Sequence, residues 1–354
     1  MRYLVSSYGF LHLCINSKMR LAINANHAIL RTISLKELPA ANMDVIQGYD
    51  NIPAELQHSI VTIGNFDGVH LGHQFIFRKM IDDARDSGHR AIVITFEPHP
   101  KMILHPDIHP FHLITTLSEK ITLLEQAGLD AVLIITFTLD FATTTAEDFV
   151  HRILYEKLQI RKIFIGHDYT FGRGKEGNEA FLINKGRRLG FAVEVIPPFQ
   201  LGNYLISSTK IRHAILDGNV KLAKVFLGRP YNIKGKVVKG YRRGTNLGFP
   251  TANVEPEKSL LPSRGIYAAR ISLNGTLHRG VLNIGTNPTF GNNRLTIEVY
   301  IIGFQGDIYG YPIGILFEDK IRDEKKFNSP DELVAQIRDD VARAEEILDP
   351  LFVG

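Results

Sequence analysis

The chain has 354 residues, 44% of them hydrophobic and 22% charged, with a net charge of +4 near neutral pH. Those proportions are of an ordinary globular protein, and the length predicts about two domains, each with its own core. So small a positive charge suits anionic small molecules and not nucleic acid, no apolar run approaches the roughly 20 residues that span a bilayer, and the single cysteine, Cys14, rules out a disulfide framework or a cysteine-built zinc site. A reducing compartment, the cytoplasm, is expected, with no membrane or nucleic-acid partner. Oligomeric state leaves no mark on the sequence.

Residues 1–36 hold no acidic side chain, whereas Arg2, Lys18, Arg20, Arg31 and Lys36 are basic. That pattern fits a transit peptide. Ser6, Ser7 and Gly9 break the first apolar stretch and no small-x-small cleavage pattern follows, so a secretory signal is not expected. The simpler reading takes Met43 as the natural start and residues 1–42 as a poorly ordered extension or a misassigned start.

From residue 59 to about 200, short apolar runs at 59–63, 91–96, 131–136, 161–165 and 191–196 alternate with helical patterns at 73–86, 118–127, 145–157 and 178–189. The alternation predicts a Rossmann-like α/β domain whose ligands bind beyond the carboxyl ends of parallel strands. The first such loop is Ile63-Gly64-Asn65-Phe66-Asp67-Gly68-Val69-His70-Leu71-Gly72-His73, running from a strand into a helix start. Free backbone N–H groups and the helix dipole favour an anion there. Gly64, Gly68 and Gly72 let a phosphate approach the backbone, and His70 and His73 face the same oxygens if the turn is helical. Taken alone, the two imidazoles read equally well as a structural or incidental metal pair.

Three further loops follow. Phe96-Glu97-Pro98-His99-Pro100 is a proline-stiffened turn in which His99 is a satisfied loop histidine, shapes the pocket or acts in it. Gly166–Asn178, with Asp168, Tyr169 and Phe171, has the composition of a loop closing over a nucleotide or of a solvated turn. Ile206-Ser207-Ser208-Thr209-Lys210-Ile211-Arg212 offers N-cap hydroxyls, free N–H groups and two cations, which read by themselves as a capped surface helix with two solvated charges and, beside the histidine loop, as a clamp for a triphosphate. Its helix is expected over 209–227, closed by Leu227-Gly228-Arg229-Pro230, which marks the boundary between domains 43–227 and 228–354.

Beyond it, runs at 232–239, 266–273, 278–284, 295–302 and 309–317 predict a small antiparallel barrel. A terminal helix at 330–348 presents Leu333, Ile337, Val341, Ala344 and Leu348 on one face. The glycine-rich stretch through Gly244 and Gly248 to Phe249-Pro250-Thr251-Ala252-Asn253 reads as a turn or as a phosphate loop. Glu298 interrupts an apolar strand, either as its polar face or as a functional carboxylate.

Several of these stretches carry a family resemblance. His-Leu-Gly-His at 70–73 resembles the His-x-Gly-His motif of nucleotidylyltransferases. The ten-residue string Gly64–His73 is similar to its form in prokaryotic bifunctional riboflavin kinase/FAD synthetases. Gly166–Gly172 resembles that family's Gly-x-Asp-Phe-x-Phe-Gly loop, with Tyr169 for the commoner Phe, and Ile206–Arg212 resembles its Ile-Ser-Ser-Thr-x-Ile-Arg motif. Gly248–Asn253 resembles the Gly-x-Pro-Thr-Ala-Asn motif of riboflavin kinases, and Leu261–Tyr267, Asn283–Thr289 and Ile321–Phe327 also look family-like. Thr245 departs from a common Arg, and Tyr300 from a common His. The likeness spans roughly residues 43–350.

The resemblance implies two activities: ATP-dependent phosphorylation of riboflavin to FMN in a riboflavin kinase-like barrel, and adenylylation of FMN to FAD in the nucleotidylyltransferase domain. It implies Mg²⁺ and phosphates on Thr251 and Asn253, and Glu298 as general base for the ribityl hydroxyl. His70, His73 and Arg212 are expected to stabilise charge in adenylylation. Gly64, Asn65, Phe66, Asp67, Gly72, Asp168, Ser207, Ser208, Thr209, Lys210, Gly244, Gly248 and Pro250 are expected to contact nucleotide, phosphate or flavin. Alternatives are a chain with one working half, a nucleotidylyltransferase for another phosphorylated small molecule, or a flavin- or RNA-binding regulator.

Overall fold

A computed structural model of the chain describes residues 43–107, 111–239, 248–286 and 295–352. The N-terminal extension with Cys14, the stretch 240–247 with Gly244 and Thr245, and residues 287–294 lie outside the described residues. The described chain forms two compact units. One comprises residues up to Phe111 together with Leu117–Ile206, and the other His112–Thr116 with Ser207 onward.

The first unit is built on a six-stranded sheet, β1 (Asp44–Gln47), β2 (Ile60–Ile63), β3 (Ala91–Glu97), β4 (Ala131–Thr136), β5 (Lys162–Gly166) and β6 (Ala192–Ile196). The order is β1-β4-β3-β2-β5-β6, and every pairing is parallel. Helices cover both faces, so the strands are apolar on both sides. Val61, Ile63, Ile92, Ile94, Ile163 and Ile165 pack with Phe149, Ile153 and Leu182 on one face. On the other, Ile60, Val93, Val132 and Phe164 meet Phe77, Met80 and Ile81 of α1 (Leu71–Ser87) and Leu124. Each such buried residue contributes about 1.5–3 kcal/mol.

Sequence patterning placed five of these strands within a residue or two. Edge strand β1 escaped it, because Asp44-Val45-Ile46-Gln47 is short and mostly exposed. Between strands lie α2 (Pro100–Leu104), α3 (Leu117–Gln126), α4 (Ala146–Asp148, continuing as a π-helix over Phe149–Lys157) and α5 (Glu179–Leu189). A short hairpin, β7 (Gln200–Leu201) and β8 (Tyr204–Leu205), ends the unit.

In the second unit the single helix expected over 209–227 is two, α6 (Ser208–Leu216) and α7 (Val220–Leu227). Gly218 breaks it with φ +77°, and an added Cβ there would lie 2.3 Å from Ser263 Oγ and 2.7 Å from the Tyr267 hydroxyl. Asn219 then caps α7, its Oδ1 accepting from Leu222 N–H at 3.0 Å.

A closed antiparallel barrel follows, β9 (Tyr231–Val238), β10 (Ala252–Pro256), β11 (Gly265–Leu273), β12 (Thr276–Thr286), β13 (Leu295–Ile301) and β14 (Pro312–Arg322), ordered β10-β13-β12-β11-β14-β9. The last run, expected over 309–317, begins at Pro312 and continues to Arg322. Its polar half stays in the sheet because its charges are paired: Glu318 meets Lys224 and Arg270, and Asp319 meets Lys221 at 2.8 Å. Strand β10, taken from the sequence as a turn or phosphate loop, forms because β9 and β13 flank it on both sides.

Helix α8 (Pro330–Leu348) starts at Ser329, whose hydroxyl accepts from Glu332 N–H, and lays Ala344 and Leu348 on Ala268 and Val281. It also carries Asp340, 3% exposed, which accepts from Arg322 Nε at 2.8 Å and Nη2 at 2.7 Å. Replacing Asp340 by Ala removes the carboxylate from a half-buried guanidinium, which among the described residues keeps only its hydrogen bond to the Asp323 carbonyl. We expect a loss of about 3 kcal/mol in the urea unfolding of this unit, and a loss under 0.5 kcal/mol would show the pair to be incidental.

Candidate functional site

The sheet order makes β2 a switch point: β3 lies on one side and β5 on the other, each followed by a loop at the carboxyl edge where doubly wound sheets bind ligands. The loop leaving β2 is the Gly64–His73 stretch. Its backbone turns through positive φ at Phe66 (49°), Gly68 (85°) and Val69 (40°). The two non-glycine residues among these cost about 1–3 kcal/mol each. Both are also buried, Phe66 4% and Val69 1% exposed. Burial worth about 1.5–3 kcal/mol apiece offsets the strain, so the loop is held in one shape by its own apolar side chains.

That shape presents the histidines. His70 is the N-cap of α1, its Nδ1 accepting from the His73 N–H at 3.3 Å. An accepting Nδ1 leaves Nε2 as the protonated, donating nitrogen. The two imidazoles stack with centroids 3.5 Å apart and planes 19° apart. Phe66 stands edge-on to His73 at 5.2 Å and to Phe77 at 5.0 Å, so its ring faces inward and supports His73 from below. Gly64 and Gly72 make room for rings: a Cβ on Gly64 would come 3.0 Å from Phe66, and one on Gly72 would come 3.1 Å from His70. Asp67, 2% exposed, is buried beneath the loop.

The neighbouring loops are fixed in different ways. After β3, His99 is 5% exposed, caps α2 through Nδ1 with Lys101 N–H at 3.2 Å, and lies 4.5 Å from the Phe111 ring. After β5, Asp168 projects outward with 84% of its side chain exposed. Tyr169 stacks on Phe171 at 5.6 Å, and Phe171 bridges back to Gly177. The base of this loop is thus pinned to the core while Asp168 stays open. Burial raises the Tyr169 phenol far above the ordinary range, and its hydroxyl has no hydrogen-bond partner among the described residues.

Within the second unit, Ser207 is the N-cap of α6, its hydroxyl accepting from Lys210 N–H at 3.4 Å. Ser208, Thr209 and Lys210 form the first turn, and Ser207 and Ser208 are half-buried. Arg212 donates from Nε to the carbonyl of His112 at 2.7 Å, and the His112 ring meets Ser259 Oγ at 2.8 Å. Burial, and then the Arg212 charge, hold His112 below the ordinary histidine value.

The barrel aligns a second group. Strand register sets Asn253 opposite Glu298, and Glu298 opposite Asn283, so three polar side chains form one row across β10, β13 and β12. Directly paired residues share a face, about 5 Å apart at Cα. On β13, half-buried Glu298 and Tyr300 alternate with buried Ile297, Val299 and Ile301. Tyr300 packs edge-on to Phe249 at 5.4 Å, just before Pro250 and Thr251. Asn283 was not singled out from sequence as a site residue; the Asn-Ile-Gly stretch holding it was the signal. Thr251 and Asn253 supply neutral oxygen donors of the kind a hard cation accepts alongside phosphate oxygens, so these residues fit Mg²⁺.

Two outcomes follow from His112 and Tyr169. Because His112 binds a proton less readily in the folded chain than in the unfolded one, stability rises with pH between the two values and falls on acidification through the folded one. His112→Gln should flatten that acid limb in urea titrations between pH 5 and about 7, and an unchanged limb counts against it. Tyr169→Phe removes the orphaned hydroxyl and should raise stability by about 1 kcal/mol; a loss would mean that the hydroxyl has a partner.

A family model described as FAD synthetase matches residues 52–210, and one described as riboflavin kinase matches residues 227–348. The chain is 38% identical over 306 residues to the bifunctional riboflavin kinase/FMN adenylyltransferase of Escherichia coli (strain K12), covering 86% of this chain and 97% of that protein. The protein of the same name from Bacillus subtilis (strain 168) is 37% identical over 298 residues, 83% of this chain and 93% of its own. A solved structure named as a macrolide-efflux protein from Streptococcus pneumoniae matches with a TM-score of 0.78 at 33% identity, covering 86% of this chain and 99% of that one. Among the described residues, no helix is long and apolar enough to cross a membrane. With a parallel α/β unit and an antiparallel barrel in that order, and nearly the whole of each curated relative matched, the chain belongs to the bifunctional riboflavin kinase/FMN adenylyltransferase family.

Proposed function

We propose that residues 228–354 transfer the γ-phosphoryl of ATP to riboflavin, giving FMN and ADP, and that residues 43–227 then adenylylate FMN with a second ATP, giving FAD and pyrophosphate. The observation that carries this reading is the presence in one chain of the stacked histidine pair at the start of α1 and of the Asn253–Glu298–Asn283 row in the barrel.

In the kinase step, Glu298 takes the proton of the attacking ribityl hydroxyl, while Thr251 and Asn253 hold Mg²⁺ with the ATP phosphates, and Gly248 and Pro250 shape the loop before them. When bound, Mg²⁺ would neutralise phosphate charge. Gly244 is assigned to the same phosphate loop. In the adenylylation step the FMN phosphate is the nucleophile. It is already largely ionised near neutral pH, with a second pKa of about 6, so no strong base is needed. His70 and His73, the N–H groups at the start of α1, and Arg212 stabilise the charge that builds on the phosphates. Gly64, Gly72 and the α6 start, Ser207 to Lys210, give the phosphates access to backbone and hydroxyl donors. Asn65 and Asp168 position nucleotide or flavin, and Phe66 and Asp67 act from beneath the loop. The substrates are small molecules, without nucleic-acid or membrane partners, and the lone cysteine of the sequence is in keeping with the cytoplasm.

Product chromatography after incubation with riboflavin, ATP and Mg²⁺ tests both assignments. Wild type should form FAD. His73→Ala should stall at FMN with adenylylation reduced roughly 10²–10³-fold. Glu298→Ala should lose roughly 10²–10⁴ in phosphorylation yet still convert supplied FMN. If His73→Ala makes FAD at the normal rate, or Glu298→Ala phosphorylates riboflavin normally, the corresponding site is misassigned.

A further inference from the structure

A buried lysine lies beneath the histidine loop, and none of the roles above uses it. Lys120 lies on α3, within the helical pattern expected over 118–127, and is 4% exposed. Its Nζ donates to the Thr95 hydroxyl at 3.4 Å, and that hydroxyl donates in turn to the carbonyl of Asn65 at 3.4 Å. Thr95 is itself fully buried on β3. Asn65 immediately precedes the positive-φ turn that carries His70 and His73. The charges that bear on the ammonium come from two other elements, Glu97 at the end of β3 and Asp67 in the loop after β2. Glu119 beside it on α3 is also buried.

Packing does not explain an ammonium at this place. A methionine of similar length would fill the space without drying out a charge. Desolvation lowers the Lys120 pKa from its ordinary value, with Glu97 and Asp67 opposing the shift, so burial acts against the charged form. A cation kept there at such a penalty points to a use, and the polar chain that leads away from it through Thr95 ends on the loop backbone.

We propose that Lys120 is a positioning residue for adenylyl transfer: through Thr95 it holds the Asn65 carbonyl, and by its charge it holds Asp67, so that the loop presents His70 and His73 to the phosphates in one geometry. The inference rests on the reading of that loop as the adenylylation site. Sequence alone hides it, since only the packing of α3 against the sheet turns Lys120 inward.

The test uses the full chain, with riboflavin phosphorylation measured on the same preparation as an internal control of folding. Lys120→Met should lower kcat for FMN adenylylation by about 100-fold, the scale of a 1 Å misplacement, with a much smaller change in KM. Lys120→Arg should restore part of the rate, and its profile should lack the alkaline decline of wild type, because a guanidinium keeps its proton. Thr95→Val, which removes the relaying hydroxyl at nearly constant volume, should lower kcat in the same direction by a smaller factor. His73→Ala runs alongside. If His73→Ala abolishes adenylylation while Lys120→Met keeps kcat within twofold of wild type, the Lys120 role is wrong and the site stands. If His73→Ala leaves adenylylation intact, the reading of the site itself fails. The positioning role is also overturned if Met and Arg variants lose the same rate with identical pH profiles, or if adenylylation falls only together with phosphorylation and thermal stability.

Discussion

Strand β2 is buried along its whole length, from Ile60 to Ile63, with β3 hydrogen-bonded on one side and β5 on the other. A strand so enclosed cannot slip by one residue, because a slip would exchange the apolar sets that face the two helical layers. Its end is therefore fixed, and with it the start of the loop that follows. Thr62, whose hydroxyl donates to the Phe164 carbonyl at 2.9 Å, ties β2 to β5 from within the core. The histidine pair inherits its position from this arrangement.

The loop itself is held by a trade between strain and burial. Phe66 and Val69 adopt backbone angles that side chains of their kind avoid, and both are nearly excluded from solvent. Phe66 then serves as the floor for His73, and the absence of a Cβ on Gly72 leaves space for the His70 ring. A residue type that looks like a ligand contact in the sequence can thus act one layer below, by setting the orientation of the group above it. Lys120 and Asp67 extend the same logic to charge.

The barrel achieves alignment by register. Asn253, Glu298 and Asn283 are far apart in sequence but lie opposite one another on three successive strands, and the period of two keeps them on one face. Buried charges elsewhere in this unit are neutralised locally. Glu318 is shared by Arg270 and Lys224, and Asp340 is matched by the fork of Arg322. These pairings explain why β14 and α8 carry charge at positions that simple hydrophobic patterning reserves for apolar side chains.

Local rules were enough to read much of this molecule from its residues. Ile60–Ile63, Ala131–Thr136 and their neighbours are recognisable as buried strands because both faces of a parallel sheet demand apolar residues. The glycine- and histidine-rich string after β2, the Ser207 cap and the Pro-Thr-Ala-Asn stretch are recognisable because each is a contiguous motif. What tertiary structure alone decided involves residues whose meaning depends on distant partners. Gly218 breaks the helix at a positive φ where Ser263 and Tyr267 leave no room for a Cβ, β10 becomes a strand because β9 and β13 supply its hydrogen bonds, and β14 runs on through Glu318 because Lys224 and Arg270 meet its charge. Lys120 is the sharpest case: a charged residue on an amphipathic helix has no local signature of burial, and only the docking of that helix on the sheet determines that its ammonium meets Thr95 and not water.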